Sequence, residues 1–143
     1  MEIILAENHG FCYGVKRAVE MANEAADSDG KSYTLGPIIH NPQVVGRLES
    51  KGVSPIQEVA DIDEGTMIIR SHGVGPAIYE EAEEKGLNIL DATCPHVKKA
   101  QQDAKSVIED GMTLVILGEK NHPEVKSINL WANNKGIIIE DEE

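Results

Sequence analysis

The sequence is poor in aromatic residues and in basic residues, and it has no long apolar run. Aromatic side chains make up 3% of the 143 residues, so the core must be mostly aliphatic. The chain has 13 Lys and Arg against 25 Asp and Glu, a formal charge of −12. This excess argues against a nucleic-acid or anionic-membrane partner, because both surfaces need clustered cations. No apolar run approaches the roughly 20 residues of a membrane-spanning helix, and no basic segment indicates a signal peptide. We therefore expect a cytoplasmic globular protein.

Cysteine is also scarce. Cys12 and Cys94 are too few for a disulfide framework, and a cytosolic protein would keep both reduced. The sequence contains no Walker A loop, no G-x-G-x-x-G, no H-E-x-x-H and no paired C-x-x-C motif. Nucleotide binding, zincin chemistry and a structural zinc site therefore lack support, and the neighbourhoods of the two thiols must indicate their function.

Short β-branched runs alternate with stretches of helical periodicity, which predicts an α/β fold with parallel sheets flanked by helices. Several runs are apolar throughout, as in strands that helices cover on both faces. The predicted strands are Ile3–Ala6, Tyr33–Leu35, Met67–Arg70, Asn88–Ala92, Thr113–Leu117 and Gly136–Glu140, with one more short strand within 53–65. The first turn of a helix tolerates proline, because its N–H groups have no partner within the helix, so a proline there marks a helix start. The predicted helices begin near Gly14 and at Pro42, Pro76, Pro95 and Pro123.

Five reactive side chains occupy equivalent positions, each between a predicted strand and the helix that follows it. They are Cys12, His40, His72, Cys94 and His122. The carboxyl ends of parallel strands form the ligand-binding edge of a sheet, and helix N-termini favour anions and thiolates. Glu124, in the first turn of the last predicted helix, adds a proton donor. Together these residues predict a metal or iron–sulfur centre beside a phosphorylated substrate.

Other interpretations stay open, because a lone Cys is often a small core residue and a lone His is often a helix cap. His9 and His96 show less pattern and are interpreted as structural or supporting groups. A non-catalytic phosphate- or diphosphate-binding module would bind diphosphate even after Cys12→Ser. A thiol or zinc protein using Cys12, Cys94 and a histidine would purify with stoichiometric zinc and show no visible absorption band.

Five segments carry a resemblance to a known family. They are GFCYGVKRA (10–18), GPIIHNPQVV (36–45), RSHGV (70–74), DATCPHVKK (91–99) and NHPEV (121–125). In this order they resemble the 4-hydroxy-3-methylbut-2-enyl diphosphate reductase family, also called LytB. Members of that family reduce (E)-4-hydroxy-3-methylbut-2-enyl diphosphate to isopentenyl and dimethylallyl diphosphate, the last step of the methylerythritol phosphate route to isoprenoids. They take two electrons from a ferredoxin or flavodoxin and release water.

The resemblance implies a 4Fe–4S cluster held by three cysteines, with one iron open to the substrate hydroxyl. Cys12 and Cys94 match the first two ligand positions. Glu124 matches the acid that delivers protons to the leaving hydroxyl. The histidines that hold the diphosphate correspond to His40, His72 and His122.

The chain also departs from the family pattern. The family's third cysteine lies beyond residue 143, and full-length members are about twice as long, with three similar α/β domains. The resemblance therefore implies a first domain over 1–94 and the beginning of a truncated second domain over 95–143. We expect such an N-terminal fragment to be inactive alone and to form a homodimer through an exposed sheet edge. Ser127 stands where the family usually has Gly, from which we expect little consequence.

Overall fold

The computed structural model describes residues 2–7 and 9–141, and within these ranges strands and helices alternate. The helices are α1 (Tyr13–Ala26), α2 (Pro42–Ser50), α3 (Pro76–Glu84), α4 (Pro95–Glu109) and α5 (Pro123–Trp131), with a short 3-10 helix over Val59–Asp61. The strands are β1 (Ser32–Leu35), β2 (Val53–Ile56), β3 (Thr66–Ile69), β4 (Asn88–Asp91), β5 (Val115–Leu117) and β6 (Ile137–Ile139). Four helices begin at the prolines that the sequence analysis singled out, which confirms those predictions.

The larger sheet is parallel and has the strand order β2-β1-β3-β4. Successive residues of β3 face opposite sides of it, as the pleat of a strand requires. Ile68 packs with residues of α1 and α2, while Met67 and Ile69 pack with residues of α3 and the 3-10 helix. All three side chains are fully buried. Helices therefore cover both faces of this sheet, which confirms the predicted α/β class.

The second sheet consists of the parallel pair β5 and β6. Ile116 is 9% exposed, but its neighbours Val115 and Leu117 are 54% and 78% exposed. On β6, Ile137 and Ile139 are 53% and 40% exposed. One face of this two-stranded sheet is therefore apolar and not covered by the described residues.

The predicted strand over 3–6 is wrong for this structure. Residues 2–6 have no regular secondary structure, and the side chains of Ile3, Ile4 and Leu5 are 74%, 84% and 75% exposed. A strand forms only where a neighbouring strand pairs with it, and no described strand pairs with this segment. None of the helices in the described ranges has the length and apolar character needed to cross a membrane.

Candidate functional site

Three histidines converge at the carboxyl edge of the larger sheet. His40 follows β1, His72 follows β3, and His122 is the N-cap residue of α5. The ring centroids of His40 and His72 are 4.5 Å apart. The ring centroid of His122 lies 5.8 Å from that of His40 and 5.5 Å from that of His72. One ring nitrogen from each histidine lies within 4.8 Å of the other two. We call this group the histidine triangle.

His72 is held in its neutral form. Burial and the nearby charges of His40, Arg70 and His122 lower the pKa of His72 from 6.5 to about 4. Its Nδ1 atom is buried and makes no hydrogen bond with the described residues. A buried polar atom destabilises the protein unless it is paired, so this nitrogen favours a polar ligand.

The N-cap contact of His122 determines which ring nitrogen carries the proton. Nδ1 accepts a hydrogen bond from the backbone N–H of Glu124 at 3.3 Å. Because a backbone N–H can only donate, Nδ1 is unprotonated and the neutral ring carries its proton on Nε2. An Nε2–H group donates to an oxyanion, whereas a metal ion would need a free lone pair. The triangle is compact enough to hold a metal ion, but this contact favours an anion.

The two cysteines are also brought close to this edge. Cys12 is the N-cap residue of α1 and Cys94 is the N-cap residue of α4, and both are free thiols. A Cβ atom on Gly14 would overlap the Sγ atom of Cys94, so the first turn of α1 contacts that thiol. The backbone N–H of Cys94 donates to the carbonyl of Ser71 at 2.9 Å, which ties Cys94 to the residue before His72.

A cavity of about 210 Å³ lies beside His40 and His72. Its lining includes Phe11, which precedes Cys12, together with His40, Ser71 and His72. A small ligand in this cavity would lie between the chain segment of Cys12 and two members of the histidine triangle.

Glu124 lies in the first turn of α5, two residues after His122. Its backbone N–H is capped by the ring of His122, and its carboxylate makes no hydrogen bond or ion pair with the described residues. The carboxylate is therefore available to exchange a proton with a ligand. His9 and His96 stay outside the triangle: the Nδ1 atom of His9 lies 2.9 Å from the carbonyl oxygen of Ala6, and His96 is exposed at the start of α4.

Ser127 contributes more to the site than the sequence analysis expected. It is 2% exposed, and its hydroxyl lies 2.8 Å from the carbonyl oxygens of His72 and Glu124. The same hydroxyl accepts a hydrogen bond from Nε2 of Gln101 at 3.2 Å. The sequence analysis did not anticipate these contacts, which lead us to predict a measurable effect of Ser127. A serine hydroxyl in a helix often bonds to the carbonyl one turn earlier, but its bonds to the His72 loop and to α4 need the tertiary structure.

A half-buried polar network supports the loop that leads to Cys94, and the sequence analysis also missed it. Asp91 accepts a hydrogen bond from the backbone N–H of Thr93 at 3.0 Å and pairs with Lys98 at 2.6 Å. Burial would raise the pKa of Asp91, but the hydrogen bonds from Lys98 and Thr93 outweigh burial and lower it. Tyr79 donates to the same carboxylate, and Arg17 donates to the carbonyls of Asp91 and Thr93. These contacts fix the turn between β4 and α4.

The fold and the site define a parallel α/β protein with three converging histidines beside two thiols at helix N-termini. The profile of the family described as "LytB protein" matches residues 3–143. The chain belongs to the LytB family.

Several similar proteins share one name with each other. A protein named 4-hydroxy-3-methylbut-2-enyl diphosphate reductase from Geotalea uraniireducens is 52% identical over 139 residues, which cover 97% of this chain and 49% of the relative. The protein of that name from Geobacter metallireducens is 52% identical and covers 100% of this chain and 51% of its own length. The chain therefore spans about half the length of the curated relatives that it matches.

Solved structures agree with the fold. A structure titled as (E)-4-hydroxy-3-methyl-but-2-enyl diphosphate reductase, the terminal enzyme of the non-mevalonate pathway, superimposes with a TM-score of 0.83 at 49% identity. The alignment covers 97% of this chain and 51% of that structure. The E-1-hydroxy-2-methyl-but-2-enyl-4-diphosphate reductase from Plasmodium falciparum gives a TM-score of 0.90 at 33% identity, covering 94% of this chain and 43% of that one.

Proposed function

We propose that this chain provides the diphosphate-binding histidines, a proton donor and two cluster-binding thiolates of an enzyme that reduces (E)-4-hydroxy-3-methylbut-2-enyl diphosphate. The products would be isopentenyl and dimethylallyl diphosphate. The convergence of three histidines from three separate junctions carries this proposal. The names of the relatives at about half identity support it.

The histidine triangle would bind the diphosphate group of the substrate. His122 presents an Nε2–H donor, because its Nδ1 atom is occupied by the helix cap. His72 is neutral and has an unpaired buried nitrogen, so a hydrogen bond to the ligand would satisfy it. His40 is exposed and would lie on the solvent side of the bound group. Hydrogen bonds from groups already in place bind an anion at little cost in reorganisation.

Cys12 and Cys94 fit two ligand positions of a 4Fe–4S cluster. Both are N-cap residues, and the Cys94 thiol lies directly against Gly14 at the start of α1. When bound, such a cluster would supply electrons, drawn from a ferredoxin or flavodoxin, and an iron that polarises the substrate hydroxyl. This sequence has no third cysteine. We therefore propose that the 143-residue chain does not catalyse the reduction alone.

Glu124 would supply a proton to the hydroxyl that leaves. The overall reaction breaks the allylic C–O bond with two electrons and two protons. One proton leaves with the hydroxyl as water, and the other is added to an allylic carbon. The Glu124 carboxylate is free of other partners among the described residues, so it can exchange that first proton.

The two separate sheets support a domain boundary near Cys94, between 1–94 and 95–143.

The test of the anion site is a calorimetric titration of the 143-residue chain with inorganic pyrophosphate. Replacing His40 or His122 by Ala should weaken binding at least about tenfold, since each change removes a hydrogen bond to a charged group. His96→Ala is the matched control, because this exposed histidine lies outside the triangle. The pyrophosphate affinity of His96→Ala should equal that of the wild type. Equal affinities in all four proteins would refute the proposed anion site.

A second experiment separates the reductase part from a non-catalytic anion-binding module. The chain is incubated anaerobically with iron and sulfide, and visible absorption is recorded. Thiol-dependent iron–sulfur binding should give a broad absorption band that Cys12→Ser and Cys94→Ser each reduce strongly. Pyrophosphate binding without any thiol-dependent absorption would favour the non-catalytic module.

A further inference from the structure

A second cavity, of about 250 Å³, lies where the ends of β1 and β3 meet helices α3 and α5. Its lining includes Gln57, Arg70, Gly75, Pro123 and Lys126. The described lining contains no member of the histidine triangle and neither cysteine. We call it the Arg70 cavity, and it is separate from the cavity beside the histidines.

Arg70 is a cation without a partner among the described residues. It follows β3 directly, its Nε atom is buried, and that atom makes no hydrogen bond. No ion pair joins its guanidinium to a described carboxylate. Burial lowers the pKa of Arg70, but a guanidinium stays protonated in proteins. A half-buried charge without a counter-charge is unfavourable, so this group favours an anionic ligand.

The backbone around the cavity is shaped to fit the guanidinium. Gly36 has a φ of +71°, and a Cβ atom there would lie 2.8 Å from Nη1 of Arg70. A larger residue would therefore be strained and would displace the guanidinium. A Cβ atom on Gly75 would lie 2.8 Å from Cβ of Leu130, so the start of α3 packs directly against α5. These close approaches fix the walls that carry Arg70 and Lys126.

The charge of the cavity is opposite to that of the chain as a whole. The chain has 25 acidic residues and a net charge of −12, yet none of the described lining residues is acidic. Arg70 and Lys126 both line the cavity, and Lys126 forms no ion pair within the described ranges. The amino-terminal ends of α3 and α5 contribute Gly75 and Pro123 to the lining and add partial positive charge.

We propose that the Arg70 cavity is a second anion site, distinct from the histidine triangle, that binds a phosphate group. Arg70 would bind two phosphate oxygens in the paired geometry that its planar group favours. Lys126 would add a second positive charge at the rim, and the amide of Gln57 would offer a further hydrogen-bond donor. Two cations favour a phosphate dianion over a carboxylate, which has a single charge. The volume suits inorganic phosphate or a phosphate ester with a small substituent.

The test is an NMR titration of the 143-residue chain with inorganic phosphate at constant ionic strength, at about pH 7.5, where phosphate is mostly dianionic. The backbone amides of Gly36, Gly73 and Gly75 report on the Arg70 cavity, and those of His40 and Asn41 report on the histidine triangle. The cavity amides should shift together with a single dissociation constant. His40→Ala should leave that constant unchanged, which separates the two sites.

Variants then identify the cations. Arg70→Gln should raise the phosphate dissociation constant of the cavity at least about tenfold, because a hydrogen bond to a charged group is lost. Lys126→Gln, at an exposed position that leaves the fold intact, should raise it about two- to fivefold. Arg47→Gln, on the exposed surface of α2, is the control for the same change in charge and should have no effect.

The outcomes are distinct. Acetate should bind the cavity at least about tenfold more weakly than phosphate, because it carries one charge less. Equal affinity for acetate would overturn the phosphate assignment. Unchanged phosphate affinity in both Arg70→Gln and Lys126→Gln, or no shift of the cavity amides in the wild type, would overturn the site itself. Each of these results leaves pyrophosphate binding by the histidine triangle intact.

Discussion

Replacing Ser127 by Ala tests whether the serine hydroxyl joins α4, α5 and the loop of His72. The hydroxyl is buried, donates to a carbonyl of the His72 loop or of α5, and accepts from Gln101. Losing the donated hydrogen bond costs about 1 kcal/mol, and leaving the buried amide of Gln101 unpaired costs about 1–3 kcal/mol. The higher helix propensity of Ala returns about 0.5 kcal/mol. The free energy of unfolding should therefore fall by about 1.5–3.5 kcal/mol.

Urea denaturation followed by far-UV circular dichroism measures this change. Ser106→Ala is the matched control, because Ser106 is exposed on α4, and its free energy of unfolding should stay within about 0.5 kcal/mol of the wild type. The double variant Gln101→Met with Ser127→Ala should be more stable than Ser127→Ala alone, since no polar partner is left unpaired. If Ser127→Ala were no less stable than Ser106→Ala, the inferred role of the hydroxyl would be wrong.

Three further predictions follow from the contacts of the site and of the smaller sheet. Because the pKa of His72 is about 4 in the folded state and 6.5 ordinarily, the unfolded chain binds more protons between these values. The contribution of neutral His72 to the free energy of unfolding should be fully present above about pH 6.5 and should fall by about 1–2 kcal/mol toward pH 4, after allowance for solvent screening of this half-exposed group. Urea titrations across this pH range measure the effect, and His72→Gln should lose this part of the pH dependence. An unchanged pH profile in His72→Gln would contradict the assignment. Gly14→Ala should lower the free energy of unfolding by about 1–3 kcal/mol, because its methyl group would overlap the Cys94 thiol, whereas Gly46→Ala in α2 meets no atom and should be neutral or stabilising in the same assay. The uncovered apolar face of the smaller sheet should favour self-association of the chain. Leu117→Lys places a charge on this face and should raise the dimer dissociation constant, measured by sedimentation velocity, about tenfold or more. Equal dissociation constants for the wild type and Leu117→Lys would exclude this face as the dimer interface.

Local patterns in the sequence predicted most of the elements. Proline in the first turn and the three-to-four spacing of apolar residues are local properties, so the starts of α2, α3, α4 and α5 were correctly located. The strand predicted at 3–6 failed for the opposite reason. Its apolar composition favours a strand, but pairing depends on a neighbour that local sequence does not specify.

The candidate site shows the same division. The sequence by itself located four candidate residues between a strand and a helix, and the family motifs in that order indicated their chemistry; the four are His40, His72, Cys94 and His122. Cys12 precedes α1, but no strand precedes Cys12 in the described residues. Only the tertiary structure decided that His40, His72 and His122 lie within hydrogen-bonding reach of one ligand. The first two meet because β1 and β3 are neighbours in the larger sheet, and His122 joins them because α5 packs against the loop of His72. It also decided the buried bonds of Ser127 and the lone cation of Arg70. These depend on contacts between segments far apart in the chain, which no local pattern encodes.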